Sequence, residues 1–264
     1  MIRITNCFKI EPDLDKVSEE EWRQCAQEGF IDLGYIKSRI NLQDEGALEL
    51  SLRFRDSAAA EGMECALSAV SGGGNSVIST LQTLAALGFT RTDRIEGTDD
   101  FNPELTGAAI AEYLKANEKQ ELIVCGGQSG TGSGRAVPLY ISHRLGIPCI
   151  TNVKGFSPVD QETVRVTYHM DGTDITDTVS MPAVLAVGDV QQAYLRVPTL
   201  KQRMASASQQ VGQFTEYSGH ETQMKLKGFR YIEQTRNTEI VDGTSPRDGA
   251  LAIYSRLKQE GMVE

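Results

Sequence analysis

One stretch carries the residue types and spacing for ligand chemistry. It opens with the apolar run Leu122-Ile123-Val124-Cys125 and passes through Gly126-Gly127-Gln128-Ser129-Gly130-Thr131-Gly132-Ser133-Gly134-Arg135. It closes with an apolar-periodic segment that stops at Gly146-Ile147-Pro148. The pattern predicts strand, glycine-rich turn and helix. Five glycines in nine residues let backbone approach a ligand closely, and the unpaired N–H groups of a following helix favour an anion. The chemistry indicated is the holding of a phosphate or pyrophosphate, to which Arg135 adds a charged fork. The spacing matches neither G-x-x-x-x-G-K-[ST] nor a clean G-x-G-x-x-G. Glycine-rich loops also serve as plain connections, so the loop alone leaves both readings open.

The elements that must position this loop come from the rest of the chain. Residues 3–9 alternate weakly and stop at Glu11-Pro12-Asp13, a first strand leaving into a loop. Ser18 before Glu19-Glu20-Glu21 is a capped helix start, and Asp44-Glu45 sit where a helix N-terminus takes negative charge, with Ala47, Leu48 and Leu52 at helical spacing. Residues 63–71 are near-continuously apolar, as in a strand buried on both faces. Gly72-Gly73-Gly74-Asn75 then leads into a helix that stops at Gly88, so a second glycine-rich turn repeats the plan of the central one. Arg94-Ile95-Glu96 reads as a short strand, and Asn102-Pro103 as the cap and first turn of a helix running through Leu114. After Pro148, residues 149–153 continue the sheet, 163–179 form a hairpin about Asp171-Gly172, 182–189 are a buried strand, and Pro198 opens a short helix. The alternation predicts an α/β fold: a doubly wound, mostly parallel sheet with an added β-hairpin, taking ligands at the carboxyl ends of its strands.

From Ser206 polar residues predominate until Ser245-Pro246 starts a last helix, with Ala250, Leu251, Ile253, Tyr254 and Leu257 on its apolar face. Such a polar stretch is long for a loop inside a compact domain. The expected division is therefore an α/β nucleotide-binding domain over 1–205 and a C-terminal arm over 206–264 that packs on a partner.

Composition narrows the function classes. The 264 residues, 40% hydrophobic and 23% charged, describe an ordinary globular chain. A net charge of −10 repels a nucleic-acid backbone. No apolar run reaches bilayer-spanning length, and Met1-Ile2-Arg3-Ile4-Thr5-Asn6-Cys7 lacks the plan of a secretory signal, so the expectation is a cytoplasmic protein without membrane insertion. Five widely spaced cysteines and three histidines fit reduced thiols better than a disulfide frame or a metal site.

Taken in order, these stretches resemble the beta subunit of electron transfer flavoproteins, including its nitrogen-fixation-associated and other bacterial relatives. Residues 3–9 with Pro12-Asp13 resemble the family's opening strand. Asn41-x-x-Asp44-Glu45-x-Ala47-x-Glu49 is similar to its N-P-x-D-E-x-A-x-E segment, and Ala69-Val70-Ser71-Gly72 with Leu84-Ala85-Ala86-Leu87-Gly88 to its V-S-x-G and A-L-A-M-G-A. Gly126-x-Gln128 through Leu145-Gly146-Ile147-Pro148 resembles its G-x-Q-A loop and closing L-G-W-P, and Leu185-Ala186-Val187 and Pro198-Thr199-Leu200 the approach to its partner-recognition loop. The likeness covers about residues 1–205.

The resemblance implies layers like those of flavodoxins and adenine-nucleotide hydrolases, and a heterodimer whose alpha subunit holds most contacts to a redox-active FAD. It also implies a nucleotide site in the beta chain itself, filled by AMP or by a second FAD. Carried over by position, that site uses Cys7, the segment Asn41, Leu42, Gln43 and Asp44, then Gly72. Its loop spans Gly126, Gln128, Ser129, Gly130, Thr131, Gly132, Ser133, Gly134, Arg135, Ala136 and Val137. Leu200, with Met204 one turn on, falls at the anchor that docks flavin dehydrogenases. The chain departs from the family where Thr131, Gly132 and Ser133 replace loop acids, where Arg135-Ala136-Val137-Pro138 replaces the loop's last part, and where Leu42 replaces a proline. Loss of acids and gain of an Arg keep or raise anion affinity while changing side-chain contacts, so AMP, a second FAD and an empty site are the alternatives.

Each of these residues also has a plainer role. Cys7 suits core packing at a strand end, Asp44 and Glu45 suit helix N-terminal charge, Gln128 suits a cap within the loop, and Leu200 and Met204 suit a buried face. No catalytic bond-making residue is expected, because a flavin carries the chemistry. The rival is a stand-alone adenine-nucleotide-binding or hydrolysing protein of the same architecture.

Overall fold

In the computed structural model the described residues are 1–29, 33–96, 98, 101–132, 134–215, 227, 232, 238, 240, 241, 243 and 245–263. The chain begins with β1 (Ile2–Phe8), whose even-numbered apolar residues Ile2, Ile4 and Phe8 face one side of the sheet while Cys7 faces the other. β2 (Ile10–Pro12) follows where the sequence predicts only loop, because it finds an antiparallel partner in β3 (Ser38–Ile40), too short and too far along the chain to carry a pattern of its own. Between them α1 (Glu19–Glu28) starts on a capping box made by Ser18 and Glu21 and ends on Gly29 in the left-handed region.

α2 (Leu42–Ala60) is capped by Asn41, whose side chain accepts the N–H groups of Gln43 and Asp44. β4 (Cys65–Gly72), α3 (Ile78–Ala86) and β5 (Arg91–Ile95) build outward on one side of β1. α4 (Pro103–Ala116), capped by Asn102, carries the chain back across the sheet to β6 (Leu122–Gly126) on the other side of β1. After α5 (Val137–Leu145), β7 (Cys149–Pro158), β8 (Thr163–Met170) and β9 (Thr173–Ser180) extend the edge antiparallel, and β10 (Ala183–Val187) returns between β6 and β7. The sequence-predicted hairpin is thus β8 and β9, turning at Asp171-Gly172.

Among the described residues the main sheet has nine strands in the order β11-β5-β4-β1-β6-β10-β7-β8-β9, parallel from its first strand to β7. It is the doubly wound α/β architecture expected. The first strand in that order, β11 (Gly212–Phe214), lies beyond residue 205 and joins the sheet beside β5. Three residues give no periodicity to read. They are placed by contacts: Phe214 meets the Tyr113 ring edge-on at 5.5 Å, and Tyr113 donates its hydroxyl to Asp93 at 2.5 Å.

Two apolar layers cover the sheet. On one face α2 and α3 pack Leu48, Leu52, Phe54, Leu81 and Leu84 against Ile2, Ile4, Leu67 and Leu185. On the other, α4 and α5 pack Ile110, Tyr113 and Ile141 against Cys7, Val70, Ile123 and Cys125. α6 (Leu200–Ala205) begins on a Thr199–Gln202 capping box and rests on α3. α7 (Pro246–Gln259) has no buried residue, and much of the polar stretch before it lies outside the described residues.

Phe54 on α2 packs on Phe156 of β7 with centroids 5.6 Å apart. We expect Phe54→Ala to lower the free energy of urea unfolding by about 3–5 kcal/mol. Truncating the exposed Leu139 of α5 should stay within about 0.5 kcal/mol. Equal losses at the two sites would contradict the assignment of the core.

Candidate functional site

The strand order reverses at β1: the chain leaves β1 toward β4 and β5, then returns to β6 on the opposite side. Such a switch point opens a crevice at the carboxyl ends of the strands. Here it is a cavity of about 380 Å³ lined by Cys7, Phe8, Lys9, Gly72, Gly73, Gly74, Cys125, Gly126, Gln128 and Ser129, with Ser76 and Val77 before α3, Thr106 and Ile110 of α4, and Val137 of α5. Two strand–glycine-turn–helix units, β4 to α3 and β6 to α5, therefore straddle one space.

The walls are close. A Cβ on Gly126 would lie 2.6 Å from the Asp44 carboxylate, and one on Gly72 would lie 2.1 Å from the Thr98 hydroxyl. Asp44 is the structural centre of the site. One of its oxygens accepts the Gly126 N–H at 2.6 Å and the other the Lys9 N–H at 3.0 Å, so the first turn of α2 ties the end of β1 to the end of β6. Burial pushes the Asp44 carboxyl up to about 7, working against those two N–H donors, with Glu11 adding to the rise. Glu11, itself buried, accepts the Gly130 N–H at 2.9 Å and the Asn41 amide at 3.1 Å.

This geometry changes the reading of the glycine loop. The N–H groups of Gly126, Gly127 and Gly130 are all engaged, by Asp44, the Val187 carbonyl and Glu11 respectively. The loop is held as part of the protein and does not present those amides to an anion. Lys9 reaches over it to the Thr131 hydroxyl at 2.5 Å and carbonyl at 3.2 Å. The Ser129 hydroxyl donates to the same carbonyl, and Arg135 donates through Nε to Gln128 at 2.8 Å. What remains for an anion is the pair of helix starts. Among the described residues α3 and α5 begin without a side-chain cap, on Val77 and Ala136, whereas α1, α2, α4, α6 and α7 are each capped by Ser, Asn or Thr.

Of the sequence-predicted residues, Cys7, Asp44, Gly72, Gly126, Gln128, Ser129 and Val137 line the cavity. Asn41 caps α2 behind it, Gly130 and Thr131 form the loop's outer part, and Gly132 turns it with φ +70°. Gly134, Arg135 and Ala136 form a 3-10 turn into α5, and Ser133 lies outside the described residues. Leu42 points to solvent, and Gln43 turns away to donate to Asp189 at 2.8 Å. Sequence reasoning missed Lys9, Glu11, Thr106 and Cys125. Cys125 and Thr106 were within reach, since they occupy a strand end and a helix first turn at the predicted ligand edge; Lys9 and Glu11 act only through tertiary contacts.

A second arrangement grows from the same helix. Glu45 accepts the Leu195 N–H at 3.2 Å, and Glu49, buried one turn on, accepts the Arg196 N–H at 3.2 Å and two bonds from its guanidinium at 3.1 and 2.9 Å. Burial works against the Glu49 charge, but the Arg196 and Arg53 donors outweigh it and hold its pKa below the ordinary value. The segment so pinned runs into α6, where Leu200 and Met204 are 73% and 71% exposed beside exposed Tyr194 and Val197. The plainer expectation of a buried face for Leu200 and Met204 does not hold: α6 lies near α3, yet every residue from 200 to 205 is exposed.

The family model of the electron transfer flavoprotein domain matches residues 32–217. The chain belongs to the electron transfer flavoprotein family. It is similar over 264 residues, at 28% identity and 99% of both chains, to the provisionally named electron transfer flavoprotein subunit YgcR of Escherichia coli (strain K12). It is also similar, at 27% identity over 173 residues, to the electron transfer flavoprotein subunit beta of Mycobacterium bovis (strain ATCC BAA-935 / AF2122/97) and of Mycobacterium tuberculosis (strain CDC 1551 / Oshkosh), covering 64% of this chain and 63% of theirs. No helix among the described residues of this electron transfer flavoprotein chain is long and apolar enough to cross a membrane.

Asp44 supplies a pH test. Its folded-state pKa lies above the ordinary carboxylate value, so between roughly pH 4 and 7 the folded state binds more protons than the unfolded chain. The stability held by the protonated carboxyl is complete below about pH 4 and is lost as pH rises through about 7. The difference in unfolding free energy between wild type and Asp44→Asn should therefore shift by a few kcal/mol across that window and be flat on either side. A difference that is level from pH 4 to 7 would mean that Asp44 titrates as an ordinary carboxylate.

Proposed function

We propose that this chain is the beta-type subunit of a two-subunit electron transfer flavoprotein, carrying electrons between dehydrogenase flavins and an acceptor. The cavity is its own adenine-nucleotide site. One observation carries the nucleotide reading: two helix starts without a side-chain cap, each entered through a 3-10 turn, meet at one switch-point cavity, where the positive ends of two helix dipoles favour a phosphate. The rest of the lining suits the base and sugar. Val70, Val77, Ile110 and Val137 give apolar walls, and Ser76, Thr106, Gln128 and Ser129 give hydroxyl and amide partners. An adenylate, alone or as part of FAD, fits that donor set. A bound flavin supplies the electron chemistry, and the chain's residues hold, orient and shield it.

The partner surfaces are exposed apolar side chains on two elements. Tyr194, Val197, Leu200 and Met204 form the dehydrogenase-docking face, and Leu251, Ile253, Tyr254 and Met262, on and just after α7, form the face that meets an alpha subunit. The stand-alone hydrolase fits less well: Glu11 and Asp44, the carboxylates nearest the loop, are committed to backbone N–H groups and poorly placed to hold a divalent ion for phosphoryl transfer.

The deciding experiment is to co-express the chain with its alpha partner, denature the complex and count released nucleotides per heterodimer. One FAD plus one AMP, or two FAD, is the expected range; one FAD alone would remove the cavity's role, and no complex at all would remove the heterodimer. In the same complex Leu200→Ala should slow flavin reduction by the partner dehydrogenase about tenfold, the size of a single interface anchor, with flavin content unchanged. An unchanged rate would exclude Leu200 from docking.

A further inference from the structure

The floor of the cavity holds a feature outside the nucleotide reading. β1 and β6 are parallel neighbours, and their register sets Cys7 directly beside Cys125. Register partners in a parallel pair point to the same face, with strands about 4.8 Å apart. Both side chains are in the apolar layer under α4 and α5, both are 4% exposed, and both line the cavity. Cys25 is on α1 and Cys65 opens β4 at the opposite end of the sheet; Cys149 packs against the same apolar layer but is separated from β6 by β10, so it has no register partner in Cys125.

We infer that Cys7 and Cys125 form a paired-thiol site for trivalent arsenicals, reached through the cavity, and that its occupation excludes the nucleotide. Two properties select this class of reagent over the usual thiol chemistries. Burial pushes both thiols up, with the Asp44 charge adding to each, so both are neutral at physiological pH. Disulfide exchange and metal ligation both start from a thiolate and are disfavoured here. An arsenoxide needs none: R–As=O and two R′–SH condense to R–As(SR′)₂ and water. Two As–S bonds form, the As=O bond breaks, both thiol protons leave with the oxygen, and no oxidation state changes. The product is uncharged, as an apolar floor requires. A bridging atom also suits side chains rooted about 4.8 Å apart, and the one hydrogen bond Cys125 gives up, to the Leu185 carbonyl, is long at 4.0 Å.

The probe is phenylarsine oxide, added to the full chain as purified with any subunit that accompanies it, with and without saturating AMP. The intact mass should rise by one phenylarsenic group less two hydrogens, reverse with 1,2-ethanedithiol, and map to the peptides containing Cys7 and Cys125. Cys7→Ser and Cys125→Ser should each abolish the bridge, and Cys65→Ser should leave it intact; mapping on wild type decides the site even where a variant folds poorly. Because the second half rests on the nucleotide reading, AMP should slow the addition at least tenfold, and the adduct should lower AMP capacity to the same extent as its yield. A bridge mapping to any other cysteine pair, or single additions only, overturns the site. A Cys7–Cys125 bridge that forms equally fast in AMP-loaded protein overturns the exclusion. If no AMP binds at all, the nucleotide reading fails separately, and the mapped bridge still judges the thiol pair.

Discussion

Asp44 accepts two backbone N–H groups that belong to different strands, and much of the molecule is arranged by that contact. A helix N-terminus placed against the carboxyl edge of a parallel sheet brings its first-turn side chains to the loops that leave the sheet. An acid there serves the helix dipole and the loop amides at once. The next residue, Glu45, and Glu49 one turn on do the same for residues 195 and 196. Three acids on one helix thus fix the floor of the cavity and the root of α6. The long helix between them is anchored by Leu48, Leu52 and Phe54, so the two regions are held at a set separation.

Because those carboxylates take the loop amides, the glycines act differently from a phosphate-cradling loop. Gly126 is glycine because Asp44 stands where a Cβ would be, its carboxylate at 2.6 Å and its backbone nitrogen at 2.8 Å, while at Gly130 a Cβ would meet the end of the Glu11 side chain at 2.9 Å. Their value is close approach of backbone to a side chain of the same protein. The anion-favouring field then comes from α3 and α5, with Arg135 beside the second of them, held through Nε by Gln128. A chain of net charge −10 has reason to build its attraction this way. Dipole and a single guanidinium act over the first helical turn and leave the surrounding negative surface as it is.

Most of the architecture was legible in the sequence, because its signals are local. Ser18, Asn102 and Ser245 cap the helices they were expected to cap, Asp44 and Glu45 lie in the first turn of α2 as expected, Gly29, Gly88 and Gly146 end helices with positive φ, and Asp171-Gly172 turns the hairpin. What was not legible is tertiary. β2, β3 and β11 are three residues each and exist only because a partner strand is near. The engagement of the loop amides was invisible, since it needs Glu11 to lie 119 residues from Gly130 in sequence and 2.9 Å away in space. Exposure of Leu200 and Met204 could not be told from burial, because spacing of one turn fits both; only the tertiary structure, in which every residue of α6 is exposed, decides it.

The charged groups at the cavity are committed to holding structure, and that bears on what the chain can do. A site built for bond-making leaves a nucleophile or base poised with its proton path open. Here Asp44, Glu11 and Lys9, the charged groups nearest the glycine loop, each bond to parts of the protein they fasten: β1 to β6, the loop to α2, the loop to β1. The thiols at the floor are driven to their neutral, least nucleophilic form. Such an arrangement fixes the position of a bound group and changes little else about it, and this is the contribution a protein makes when a flavin performs the electron chemistry.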